Sequence, residues 1–280
     1  MFAVTLLSYL GATRPAEAAK TDETAHCEKL AFFCEDPWWK YWQEQKPRAF
    51  VSFDTRLGAF GQVRSIIGYG KPFWTFTGLE VFAGSTAEFA AWSIGPRLDL
   101  LAINASFDFR RTHAYTRERP LVAESYSTLE KVPRTPHPNR YSSLDGWLWG
   151  YLPAGPILTY WELGGVYLLD APSSRAVFEE YYRFTIHRRT ALSLRTLIWL
   201  SLLESSFNIG PAIDAVVTPG RDALLRVGGS VFLRFTEHLK CQLALTVPIS
   251  SPDELDWFTQ SWGSLNLGYT FATGEPRLGW

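Results

Sequence analysis

The stretch from Leu101 to Arg110, LAINASFDFR, alternates with a period of two. Leu101, Ile103, Ala105, Phe107 and Phe109 are apolar, and Asn104, Ser106, Asp108 and Arg110 stand between or beside them. Successive side chains of a strand point to opposite faces, so the pattern predicts a strand with one apolar and one polar face. The alternation runs from about residue 49 to 271. Val51, Phe53, Thr55 and Leu57 oppose Ser52, Asp54 and Arg56, and Val63, Ile67 and Tyr69 oppose Gln62 and Arg64. One long strand or a hairpin about Gly58–Gly61 accounts for 49–69. Strands follow over 74–84 and 90–98. The phase then flips at Asp99-Leu100. A two-residue hairpin loop gives such a flip, because residues i and i+3 face the same side. A bend is the alternative, but it leaves a strand of about 23 residues, too long for an ordinary sheet. Further strands are predicted over 141–152, 157–169, 176–187, 191–203, 207–217, 222–236, 239–247 and 259–271. Residues 114–140 break the pattern with four prolines and many charges, and form the longest loop. The fold class read from this is all-β: about twelve antiparallel strands (10–14), in a sandwich or an up-and-down barrel.

The make-up of the polar face decides between them. A soluble sandwich shows water a face rich in Lys and Glu. Here the polar positions carry Arg, Asp, Ser, Asn, Thr and Gly, with little Lys. Asp54, Arg56, Arg64, Glu80, Arg97, Asp108, Arg110, Glu162, Glu179, Arg183, Arg195, Asp214, Arg226 and Arg234 are the candidate lumen-lining residues, with Asp99 and Lys240 beside them. Mixed signs among small residues suit a crowded interior of paired ions. The apolar face carries large aromatics near strand ends, as in a membrane girdle. The reading is a transmembrane barrel with a polar lumen and an apolar lipid face, whose closure leaves no unpaired edge in the bilayer. The short turns at 99–100, 153–156 and 218–221 are expected at one end and loop 114–140 at the other.

Composition sharpens this. Twelve Trp, twelve Tyr and nineteen Phe make up 15% of the chain, a usage that suits strands ending at a membrane interface. The net charge of -1 gives no case for nucleic acid. No apolar run approaches the ~18 residues of a spanning helix. Residues 1–18 read as a secretory signal peptide, with Ala16-Glu17-Ala18 as the cleavage pattern, although no Lys or Arg precedes the apolar segment and an ordinary N-terminal helix is the alternative. Residues 19–47 form a lead-in or strap ahead of the barrel domain at 48–280. Its cluster Trp38, Trp39, Tyr41 and Trp42 is expected to pack on the domain rather than plug it. Cys27 and Cys34 form a disulfide or stay as two thiols. Cys241 shares parity with Leu239, Leu243 and Leu245 and faces lipid.

The phrases YGKPFW (69–74), SPDELDWF (251–258) and LNLGYTFATGEP (265–276) lie within this alternating frame. With the signal segment, they make the chain resemble a family of uncharacterised outer-membrane β-barrel proteins of Gram-negative bacteria. Leu265, Leu267, Tyr269 and Phe271 look like the terminal assembly signal of such barrels, although residues up to Trp280 follow. The resemblance implies an outer-membrane location, with membrane lipid and the barrel-assembly machinery as partners. It implies no substrate.

Catalytic chemistry finds little support. No Gly-x-Ser-x-Gly elbow and no metal spacing occurs around His26, His113, His137, His187 or His238. Glu179 and Glu180, adjacent on a predicted strand, would point to opposite faces, with Glu180 toward lipid. SPDELDW reads as a solvated turn. No catalytic residue, metal or cofactor is assigned. Two functions stand: a narrow porin-like pore for small polar solutes or ions, and a closed structural or surface-interaction barrel that uses loop 114–140 as its contact.

Overall fold

The computed structural model describes residues 37–58, 61–100, 103–123, 125–126, 138–170, 175–202, 206–255 and 257–274. The signal segment, Cys27, Cys34, His26, His137, Trp280 and loop residues 127–137 lie outside these.

Twelve strands close into one antiparallel ring: β1 (Arg48–Gly58), β2 (Gly61–Lys71), β3 (Thr75–Ser85), β4 (Phe89–Leu100), β5 (Ile103–Glu118), β6 (Pro138–Ala154), β7 (Ile157–Leu168), β10 (Thr190–Leu202), β11 (Phe207–Val217), β12 (Leu224–Arg234), β13 (Leu239–Ser250) and β14 (Trp262–Ala272). Each pairs with its neighbour, and β1 closes on β14 from Ser52↔Ala272 to Gly58↔Asn266. Eleven residues in extended conformation span about 36 Å, which at barrel tilt covers the hydrocarbon layer of a bilayer. Two small elements complete the interior: a hairpin of β8 (Val177–Glu179) and β9 (Phe184–Ile186), and the helix α1 (Pro37–Gln43), which opens on a proline at the position where a missing N–H costs nothing. A short helix α2 (Trp257–Gln260) precedes β14.

Alternation settles which face is wet. The outward positions are Leu, Ile and Val at mid-strand: Leu79, Val81, Ile94, Leu194, Ile213, Leu243 and Leu245 are all more than a third exposed. Outward aromatics gather toward the ends, with Tyr69, Phe235, Tyr269 and Phe271 near the α1 end and Trp92, Tyr115 and Tyr167 near the other. The inward positions are buried and largely polar: Ser52, Asp54, Glu80, Asp108, Arg110, Arg195, Asp214 and Arg226. The distribution inverts that of a water-soluble fold, and only a lipid surround satisfies it. No described helix is long and apolar enough to cross a membrane, which leaves the strands to do so.

Several expectations are corrected. The connection 218–223 lies at the end that carries the long loop, opposite the tight links β4–β5 and β6–β7, because only three wall strands, β7, β10 and β11, run between Ala154 and Val217, and an odd number of crossings ends on the opposite side. The long loop is shorter than 114–140, since β5 runs on to Glu118 and β6 starts at Pro138. Residues 176–187 are not a wall strand but the β8–β9 hairpin, folded inward. Residues 257–260 form α2, so the last strand starts at Trp262 rather than 259. Asp253 is not solvated: it is 7% exposed and holds Arg221 at 2.6 Å.

Candidate functional site

The inward polar residues of β1–β7 line a cavity of about 280 Å³. Asp54, Arg56, Arg64, Glu80, Arg97, Asp108, Arg110 and Glu162 all border it, with Asp99 and Lys240. Register explains the meeting. Asp54 stands opposite Arg64 on β2, Glu80 opposite Gly95 on β4, and Glu162 opposite Arg195 on β10. The side chains pair across and along the wall. Asp54 holds Arg56 at 3.3 Å and Lys240 at 3.1 Å. Glu80 holds Arg64 at 3.1 Å and Arg97 at 2.5 Å, and Arg97 also meets Asp99 at 2.8 Å. Charges of both signs are thus mixed along the lumen, and the described residues form no ring of one sign to select an ion by charge.

Arg195, Asp214 and Arg226 continue the pattern on β10–β12. Arg195 reaches Glu162 at 3.1 Å and Asp214 at 3.4 Å, and Arg226 donates to Asp214 at 2.6 Å. Arg234, at the α1 end of β12, lies over the Phe232 ring at 5.2 Å. Glu179 and Arg183 are not on the wall; both belong to the hairpin. Sequence reasoning missed Asp145, Trp147, Trp149, Tyr151 and Tyr181, which also border the cavity. On β6 the inward row is Tyr141, Ser143, Asp145, Trp147, Trp149, Tyr151, so polarity gives no contrast with the outward leucines.

The hairpin closes the loop end. Arg110 holds Glu179 at 2.6 Å, and Tyr141 donates to the same carboxylate at 3.0 Å. From across the ring, Arg226 donates to the Tyr182 carbonyl at 2.8 Å and to the Gln260 carbonyl at 2.9 Å. The Tyr182 ring stacks on Trp147 at 5.4 Å, in room left by Gly164, where a Cβ would come within 2.5 Å of the Tyr182 hydroxyl. Glu180 does not face lipid. The chain turns at Glu180–Arg183, which puts its carboxylate inward onto Arg117 at 2.7 Å and Asn139 at 3.1 Å. Burial pushes its carboxyl up to about 7, against the pull of Arg117.

Helix α1 closes the other end, and Trp42 is fully buried. It meets Phe73 at 4.6 Å and His238 at 5.9 Å, in a cluster with Phe50, Ile66, Trp74 and Phe76. Of the lead-in's aromatic residues, Trp42 packs among the inward-facing side chains at this mouth. Among the described residues, the two positive-φ residues other than glycine, Phe73 (φ 56°) and Arg183 (φ 57°), fall at these two closures. Such backbone costs about 1–3 kcal/mol and persists where surrounding contacts hold it.

No family model matches the chain, and no curated protein sequence matches it. Among solved structures it is similar to KdgM porin, at 7% identity over 79% of this chain and 98% of that one, with a TM-score of 0.37. It is also similar to CdiB from Acinetobacter baumannii, at 10% identity over 81% of this chain and 60% of that one, with a TM-score of 0.38.

The lumen offers no assembled catalytic set among the described residues. His113 accepts from Arg140, His187 packs on Tyr126, and His238 meets the Thr270 carbonyl. No group of three or more metal-ligating side chains forms among these residues.

Proposed function

We propose that the chain is an outer-membrane β-barrel that serves as a narrow, porin-like passage for small polar solutes, closed in this conformation by α1 at the periplasmic mouth and by the β8–β9 hairpin at the outer mouth. The observation that carries the reading is the polar cavity inside the ring, lined by ion-paired Asp54, Arg56, Glu80 and Arg97 and lying between two closures. The sidedness rests on the tight links at the α1 end and the long loops at the other. A closed barrel without transport is the second reading, favoured by the density of the packing round Trp42 and Tyr182.

Planar-bilayer conductance of refolded protein decides between them, with a Trp42→Ala/Tyr182→Ala variant beside the wild type. We expect brief, small unitary steps from the wild type and several-fold longer openings from the variant. Silence from both proteins, each still heat-modifiable on gels, would overturn the passage and leave the closed barrel.

A further inference from the structure

The outward face of β5–β7 changes character at the loop end. Phe107, Phe109 and Leu144 face outward in mid-wall, and Arg111, His113 and Arg140 continue the same two rows. Register sets Arg111 opposite Ser142 and His113 opposite Arg140. Arg111 and Arg140 are therefore diagonal neighbours on one face, close enough for long side chains to share a partner. Trp92 on β4 lies opposite Arg111, which puts the group at the level of the outward aromatics. Arg119, just past β5, donates to the Asp170 carbonyl at 2.9 Å and to the Arg140 carbonyl.

One acid answers these three guanidiniums. Asp170 holds Arg111 at 2.9 Å and lies 3.7 Å from Arg119, and Arg140 meets no carboxylate among the described residues. The Arg140 Nε donates to His113 Nε2 at 2.9 Å. A ring nitrogen that accepts carries no proton, so His113 is neutral here. Three arginines against one aspartate leave a surplus of two positive charges. The surplus is open to the surroundings, since the Arg111 side chain is 42% exposed and Arg140 is exposed as well.

Two like charges on a diagonal repel, and a guanidinium at the edge of the hydrocarbon layer has water on one side only. A phosphate relieves both, because its oxygens accept the forked N–H groups of arginine. The wall toward mid-membrane leaves room for what a lipid phosphate carries. Gly146 on β6 and Gly165 on β7 are paired in register and face outward, next to the exposed ring of Phe107. A Cβ on Gly146 would meet nothing nearer than that ring at 3.9 Å, so packing within the protein does not demand glycine there. Glycine inside a strand often marks the close approach of a ligand, and this pair leaves a recess in the lipid face.

We propose that the outward wall of β5–β7 is a binding site for a phosphate-bearing lipid of the outer leaflet, its headgroup phosphate gripped by Arg111 and Arg140. The site rests on the outer-membrane reading and its sidedness but not on conduction, since a barrel silent in planar bilayers would still carry the patch.

The test is native mass spectrometry of the full chain in a mild non-ionic detergent, titrated with diphosphoryl lipid A. Dilaurin, which has acyl chains and no phosphate, and inorganic phosphate, which has no chains, are the controls. We expect saturable retention of lipid A by the wild type. Arg111→Gln/Arg140→Gln should bind about tenfold or more weakly, since hydrogen bonds between charged groups are lost. Arg188→Gln/Arg189→Gln removes the same charge from exposed positions in the β9–β10 connection and should bind as the wild type does. The exposed Arg111–Asp170 pair adds little to stability, so the first variant is expected to keep the heat-modifiable band of a closed barrel. No saturable lipid A binding by wild type that shows this band overturns the proposal. Binding that Arg111→Gln/Arg140→Gln leaves unchanged overturns it, as does an equal loss in Arg188→Gln/Arg189→Gln. Equal retention of dilaurin overturns it in favour of a merely greasy surface, and displacement of lipid A by millimolar inorganic phosphate overturns it in favour of a free anion.

Discussion

Glu180 sits at the turn of the hairpin, 1% exposed, with Arg117 on one carboxylate oxygen and Asn139 on the other. Burial lifts its carboxyl from the ordinary 4.5 to about 7. A group that holds its proton more tightly when docked favours docking fully below about pH 4.5, and that contribution fades as the pH climbs to about 7. Hydrogen exchange of the hairpin amides, corrected for intrinsic rates, should therefore be faster at pH 8 than at pH 5. Glu180→Gln should remove the difference. The sequence could not show this, because parity on an assumed strand sent Glu180 to the lipid side. Parity did place Asp54, Arg64, Glu80 and Arg110 together, since each lies on a wall strand with a polar–apolar contrast. It failed on β6, where Trp147 and Trp149 point inward and leucines point outward, so hydrophobicity carries no sign of direction.

The two inserts act at the scale of elements. The alternation over 176–187 is real, but a hairpin inside a lumen has both faces buried: Val177, Phe178, Glu179, Phe184, Thr185 and Ile186 are each 3% exposed or less. Periodicity cannot separate such a hairpin from a wall strand. Its clamp across the ring is Arg226, fully buried on Asp214 and on two carbonyls. Arg226→Met leaves those acceptors unsatisfied, at a cost of about 3–5 kcal/mol for breaking a buried pair. The expected outcome is trypsin cleavage within 175–189 under conditions where the wild type resists. Trp42 has the matching role at the other mouth. Truncating a buried tryptophan costs about 3–5 kcal/mol, and Trp42→Ala should free α1, read as proteolytic release of the segment before β1.

At the scale of the molecule, the ring itself was legible. Strand number and alternation need only local pattern, and closure follows from the need to leave no edge in lipid. The belt makes a quantitative prediction. Leu194→Arg, near mid-strand on β10 and 50% exposed, should destabilise the protein folded in lipid vesicles by about 2–4 kcal/mol, whereas Leu202→Arg at the strand end should cost about 0–1 kcal/mol. Equal costs at the two positions would argue against a bilayer surround. The side on which each turn falls was less legible, because the error at 176–187 shifted the count of reversals for every later strand.

The hairpin's clamps also carry information about time. Arg110 and Arg117 stand on β5 and Arg226 on β12, five strands apart one way round the ring and seven the other. These grips cannot act together until the sheet has curled almost to completion. The hairpin is then a keystone, set last, and a protease-resistant segment 175–189 would mark the molecules whose assembly has finished.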